Sequence, residues 1–342
     1  MKKTLFFALS ASFMTFVPFF ELSPAKTHAA SVGKAECVIE LHSRRVLYEY
    51  NADMRLPMAS TTKIATAITA LEAERDLQEK VVIPQEAVGV EGSSVYLKAG
   101  EEYSLQDLLY GLMLRSGNDA AKTIALTIGR TEADFACMMN KTAQKAGALA
   151  TNFVNPHGLP QDGHCTTARD LSYITAYAMH NPTFCEIVKT KYYEPCGWQN
   201  KNKLLYRYEG ACGVKTGYTK EAGRCLVSSA TKNDMTLICS LLNCPQTYER
   251  TEELFDDCFS AYQNTPLVLA NKPFLLKDKG KFIKAYAKED FYYPLLEEEK
   301  ELIEIKTKFE KEGFFQKKDE KIGEFQIYLS KQLLFSGNLY KL

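Results

Sequence analysis

The first regular pattern after residue 30 is a pair of short apolar runs, "CVIEL" and "VLYEY", separated by the polar "HSRR". Two strand-length runs around a polar turn predict a hairpin. The period then changes. In "STTKIATAITALEAE", Ile64, Ala67, Ile68 and Leu71 recur at three- and four-residue spacing, the stripe of an amphipathic helix. Four more helices are predicted from their stripes and ends. "SLQDLLYGLMLRS" opens with a capping box from Ser104 to Asp107, and "NDAAKTIALTIG" stops at Gly129. "TEADFACMMNKTAQKAG" is capped by Thr131 and ends at Gly147, and "TARDLSYITAYAMHN" carries a second box from Thr167 to Asp170. Three strand-like runs follow, "CGVKTGYT", "RCLVSSATK" and "MTLICSLLN", then a last helix over "YERTEELFDDCFSAY". Two strands, a block of helices, three strands and a helix predict an α/β fold of the α+β type. Its antiparallel sheet draws on both ends of the segment, with a helical lobe inserted between.

Beyond "NTPLVLANKP", where Pro266 and Pro273 bracket a linker-like stretch, the period becomes two. Ile303, Ile305, Thr307 and Phe309 alternate with Glu304, Lys306 and Lys308, and Phe325, Ile327 and Leu329 alternate with more polar neighbours. We therefore expect a body over 31–264 and a small C-terminal all-β domain over 265–342. At the other end, Lys2 and Lys3 precede an apolar run from Thr4 to Phe20, and small residues follow at "THAAS". This reads as an export signal over 1–30, which places the mature chain outside the cytoplasmic membrane.

Composition narrows the chemistry. The 342 residues carry 42 basic and 42 acidic side chains, so no net field draws the chain to nucleic acid. Five scattered histidines, and the lack of H-E-x-x-H, C-x-x-C, P-loop or G-x-G-x-x-G patterns, imply neither metal nor cofactor. Ten cysteines, all between Cys37 and Cys258, leave disulfides and buried free thiols both open, and none sits in a motif with a partner base.

The pattern S-x-x-K occurs four times: Ser23/Lys26, Ser31/Lys34, Ser60/Lys63 and Ser229/Lys232. Ser23 lies in the export signal and Ser31 at the presumed new terminus. Ser229 and Lys232 fall in a strand, where an offset of three puts them on opposite faces. Only Ser60 and Lys63 open a helix, where that offset places both on one face. A serine hydroxyl needs a base, and a lysine amine serves when burial or a neighbouring cation keeps it uncharged. A second cation is available in Lys215-Thr216-Gly217, on a strand, where Gly217 lets a substrate backbone approach closely. Ser116-Gly117-Asn118 sits between two helices, where Ser116 can relay a proton and Asn118 can contact a substrate amide. The same tripeptide at Ser336-Gly337-Asn338 is a turn by composition. His157 and His164 read as a turn residue and a loop contact.

These three elements, in this order, resemble the penicillin-recognising serine enzymes, and most closely the D-alanyl-D-alanine carboxypeptidases among low-molecular-weight penicillin-binding proteins. "MASTTKIATA", "GSSVYLKAGEEYSLQDLLYGLMLRSGNDAA", "NPHGL", "HCTTARDL" and "GVKTGYTKEAGRCLVSSA" carry the resemblance over 31–264. It implies a β-lactamase/transpeptidase-like fold and an acyl-enzyme on Ser60, with Lys63 as general base. It implies Ser116 and Asn118 in the cleft, Lys215 and Thr216 on the substrate carboxylate, and an oxyanion hole from the N–H groups of Ser60 and Tyr218. The implied partners are peptidoglycan stem peptides and, as covalent inhibitors, β-lactams. Some relatives use a further arginine for the carboxylate; Arg250 lies near that position but is left outside the site. Such enzymes often end in an amphipathic helix that lies on a membrane; this sequence ends at "FSGNLYKL", and peripheral membrane association stays open. The alternatives within the chemistry are a β-lactamase and a D,D-endopeptidase; outside it, a peptidoglycan-binding scaffold.

Overall fold

The computed structural model describes residues 33–278, 281–309 and 318–342. The export signal, its cleavage site and the serines Ser23 and Ser31 lie outside the described residues.

Strands β1 (Ala35–Glu40) and β2 (Val46–Tyr50) form the expected hairpin. A 3-10 turn, Ala59–Thr62, runs straight into α1 (Lys63–Leu71). The small ladder β3 (Lys80–Val82) and β4 (Glu102–Ser104) precedes α2 (Leu105–Tyr110). After it come α3 (Asn118–Gly129), α4 (Glu132–Lys145), α5 (Ala168–Met179) and α6 (Pro182–Lys189). A two-residue pair, β5 (Tyr192–Tyr193) and β6 (Trp198–Gln199), and the single turn α7 (Leu204–Arg207) lead to β7 (Ala211–Thr219), β8 (Gly223–Lys232) and β9 (Met235–Leu242). Helix α8 (Thr247–Ala261) closes the body.

The main sheet has the order β2-β1-β9-β8-β7, antiparallel throughout. The first hairpin therefore does pair with the strands that follow the helical lobe, Val38 lying opposite Cys239. Both faces are covered. One core joins Cys37, Ile39, Val227 and Ile238 to Ile64, Ile68, Ile124 and Ile174 of the lobe; the other joins Val38, Leu237, Cys239 and Leu241 to Leu254 and Phe255 of α8. Burial on both faces explains why β1 is an unbroken buried run rather than an alternation.

The remaining strands are β10 (Gln263–Val268), β11 (Phe274–Asp278), β12 (Lys281–Tyr286), β13 (Phe291–Leu295), β14 (Ile303–Phe309), β15 (Lys321–Leu329) and β16 (Gln332–Lys341). Five of them form a second sheet in the order β11-β12-β16-β15-β14, around Ala285, Ile322, Phe325, Ile327 and Leu339.

Local chemistry fixes the helix ends, α3 stopping at Gly129 as expected, and two sequence readings change, the Thr167 box and the Ser336-Gly337-Asn338 turn. The Ser104–Asp107 box is complete, but only half of the one at Thr167 forms. Thr167 accepts from the Asp170 N–H, whereas the Asp170 carboxylate turns to the Ala150 N–H (2.7 Å) and the Thr151 hydroxyl (2.8 Å). Gly129 is the last helical residue of α3, and Arg130 takes the positive φ of 67°. Gly129 is small because a Cβ there would lie 2.7 Å from the Phe135 backbone nitrogen. Finally, Ser336-Gly337-Asn338 is no turn: it lies within β16, where Gly337 faces Phe325.

All ten cysteines are free; five are buried, Cys37, Cys225, Cys239, Cys244 and Cys258.

Candidate active site

The segment 58–63 is held by two glycines that belong to distant parts of the chain. Ala59, just before Ser60, has φ +50°, a left-handed conformation that costs a residue with a Cβ roughly 1–3 kcal/mol. Gly158, at φ +89°, presses on it: a Cβ there would come 1.9 Å from the Ala59 carbonyl oxygen. From the other side β7 closes in, where a Cβ on Gly217 would sit 3.1 Å from both Met58 O and Ser60 N. Gly217 thus makes room for the protein's own backbone, beside the nucleophile candidate, where the sequence suggested room for substrate.

Lys63 is fully buried at the start of α1. Its Nζ reaches three oxygens: Ser60 Oγ at 3.0 Å, Asn118 Oδ1 at 2.6 Å and the His157 carbonyl at 2.7 Å. Burial holds its pKa well below the ordinary lysine value, the charge of Lys215 adds to this, Asp119 opposes it and Lys201 reinforces it. An amine so placed is disposed to accept the Ser60 proton.

Lys215 lies in the interior of β7, also buried, with Nζ 2.9 Å from the Thr216 carbonyl. Burial, then Lys201, lowers its pKa to about 7. The Lys215 charge also helps to lower the pKa of Lys63. Tyr218, two residues beyond Thr216, is largely exposed.

Ser116 and Gly117 form the joint between a π turn (Gly111–Arg115) and α3; Ser116 is buried with φ +64°. Among the described residues, its hydroxyl makes no hydrogen bond to either lysine. Asn118 is already engaged at both amide atoms, Oδ1 with Lys63 and Nδ2 with the Glu91 carbonyl (2.5 Å). It holds the amine in place, which differs from the expected substrate-amide contact. Next to it, the buried Asp119 carboxylate accepts from Val95 N (3.1 Å), Leu97 N (3.1 Å) and Ser94 Oγ (2.5 Å), pinning the segment that borders the cluster.

The sequence missed three members of this neighbourhood. Lys201 approaches Ser93 Oγ at 3.4 Å, and burial, with Arg115 nearby, lowers its pKa. It lies in the polar run "QNKNK", which has no periodicity to mark it. Asp119 was masked by its place in an apolar helix. His157 was read as a turn residue, and it is one, but its carbonyl is a ligand of the Lys63 amine. His164 bonds Thr62 through Nε2 (2.8 Å) and accepts the Val154 N–H at Nδ1 (3.1 Å), the loop contact expected. Arg250 is committed elsewhere, to Glu36 (2.8 Å), Glu253 (2.8 Å) and the Tyr48 hydroxyl (2.8 Å). Among the described residues no cluster of three or more metal-ligating side chains occurs.

A two-faced antiparallel sheet, an inserted helical lobe and a serine bonded to a buried lysine beside a second lysine define the acyl-enzyme class of serine hydrolases. The D-alanyl-D-alanine carboxypeptidase family, peptidase S11, matches residues 23–246, and the C-terminal domain of penicillin-binding protein 5 matches residues 262–342. The chain belongs to the D-alanyl-D-alanine carboxypeptidase family. It is 33% identical over 278 residues to D-alanyl-D-alanine carboxypeptidase DacF of Bacillus subtilis, covering 76% of this chain and 72% of that protein. The structure of the Streptomyces K15 DD-transpeptidase matches with a TM-score of 0.64 at 33% identity, over 68% of this chain and 99% of that one. Penicillin-binding protein 5 from Haemophilus influenzae shares the fold more widely, with a TM-score of 0.76 at 24% identity, over 92% and 98% of the two chains.

Proposed function

We propose that this enzyme removes the terminal D-alanine from peptidoglycan stem pentapeptides through an acyl-enzyme on Ser60. The observation that carries this is the buried Lys63 amine, 3.0 Å from Ser60 Oγ, with its pKa held well below the ordinary lysine value by burial and Lys215. Lys63 takes the hydroxyl proton as Oγ attacks the carbonyl of the penultimate D-alanine. The C–N bond breaks, the proton passes to the departing amine, and D-alanine leaves. Water then hydrolyses the ester and restores Ser60. Lys215 and Thr216 receive the substrate carboxylate. The N–H groups of Ser60 and Tyr218 receive the oxyanion, each such donor contributing ~3 kcal/mol of barrier lowering. The close approach of Gly217 to Ser60 N supports that pairing, since it sets β7 beside the attacking oxygen.

A β-lactam presents an analogous but strained amide carbonyl, and its ring opens as Ser60 is acylated. The substrate places the work outside the cytoplasmic membrane, in keeping with an export signal over 1–30. No helix among the described residues is long and apolar enough to cross a membrane. The test is intact mass after exposure to penicillin, with D-alanine release from a D-Ala-D-Ala peptide measured in parallel. Wild type is expected to gain one penicillin and release D-alanine slowly but steadily, and Ser60→Ala to do neither. An adduct that persists in Ser60→Ala removes Ser60 as nucleophile. Rapid turnover of penicillin identifies a β-lactamase instead.

A further inference from the structure

The His157 carbonyl that accepts from Lys63 belongs to a loop with its own supports. Asn155 Oδ1 accepts the N–H groups of His157 (3.3 Å) and Gly158 (2.8 Å), and the His157 ring does the rest. Nδ1 accepts the Leu159 N–H at 3.2 Å, so the ring proton sits on Nε2, which lies 3.5 Å from Glu132 Oε2. Glu132 is the first residue of α4 and also pairs with Lys122 of α3 at 3.0 Å. A contiguous chain therefore runs from α3 and α4, through one imidazole, to the oxygen that holds the amine. No substrate atom is needed to complete it.

We propose that Glu132 is a positioning residue: through the His157 ring it fixes the carbonyl that, with Ser60 and Asn118, aims the Lys63 amine. This inference rests on the acylation of Ser60 with Lys63 as base. Its charge also matters to the neighbourhood. The groups facing His157 are Glu132, Lys122, Lys63 and, more remotely, His164; those facing Lys63 are Lys215, Asp119 and Lys201. The pair beside His157 is net neutral only while Glu132 is ionised, and His157 with Lys122 holds its carboxyl down at about 2. Losing that charge leaves Lys122 unopposed beside the His157 ring.

The experiment is the second-order rate of Ser60 acylation by benzylpenicillin against pH, by intact mass, on the full chain, Glu132→Gln and Glu132→Ala, with melting temperatures. Glu132→Ala is expected to lower the plateau about tenfold or more, since small misplacements of a base are costly. Glu132→Gln still accepts from Nε2–H and keeps most of the plateau, a rescue that a loss of packing alone would not show. The proposal is overturned if both variants keep the wild-type plateau, or if Glu132→Gln loses as much plateau as Glu132→Ala, in step with melting temperature. Wild type that forms no adduct overturns the Ser60 reading itself, a separate result.

Discussion

Gly158 shows how one residue far along the chain sets the geometry at the nucleophile. It occupies φ +89°, open to glycine, and leaves no space for a Cβ against the Ala59 carbonyl. The strained Ala59 backbone persists because this contact, and β7 behind it, leave it nowhere to relax. Gly158→Ala is expected to cost more than about 3 kcal/mol in urea unfolding, and to slow Ser60 acylation even where the variant folds. His164 makes a second prediction. Burial first, then His157 and Lys63, push its pKa down to about 4 from an ordinary 6.5. As pH falls below about 6.5 the unfolded chain takes up this proton before the folded one, so stability is lost until about pH 4 and levels off beneath it. The share is ~3 kcal/mol. His164→Gln should flatten the melting temperature over that interval, and an unchanged slope would assign the loss to other groups.

At the scale of elements, strand periodicity was legible where one face is buried and misleading at an edge. Phe325 and Ile327 of β15 are buried as their alternation predicts, but Ile305 on β14 is 40% exposed, because β14 is an edge strand with a neighbour on one side only. Composition failed at Gly337. Glycine between serine and asparagine reads as a turn, yet here it is the floor on which an aromatic ring lies. A Cβ would meet Phe325 Cζ at 2.5 Å, and that ring packs against Phe335 and Phe274. Gly337→Val should therefore destabilise the second sheet, raising hydrogen exchange in β15 and β16 by about tenfold or more, while Ser60 acylation keeps its wild-type rate. Equal exchange in the two proteins would show that the ring is free to move aside.

For the whole molecule, the joining of distant segments is itself held by charge. Glu36 on β1 and Arg250 on α8 form a buried pair, with side chains 0% and 4% exposed. Arg250→Met leaves a buried carboxylate without its partner and should cost ~3–5 kcal/mol. KM for a D-Ala-D-Ala peptide should stay unchanged, because this guanidinium is engaged by Glu36, Glu253 and Tyr48. A large rise in KM with little loss of stability would return Arg250 to the list of carboxylate contacts.

The chain by itself determined the hairpin, the capped helices, the antiparallel sheet shared between both ends of the body, and the motifs Ser60/Lys63, Ser116/Asn118 and Lys215/Thr216. Each is written in spacing of a few residues, because periodicity and caps report which face is buried and where a helix starts. The folded structure alone decided what touches the amine. Asn118 and His157 reach Lys63 across separations of 55 and 94 residues. Lys201 arrives from a run with no pattern, and Gly217 is spent on the protein's own backbone. Polar contacts between remote segments leave no local trace, since one hydrogen bond depends on the placement of two whole elements rather than on the residues beside it.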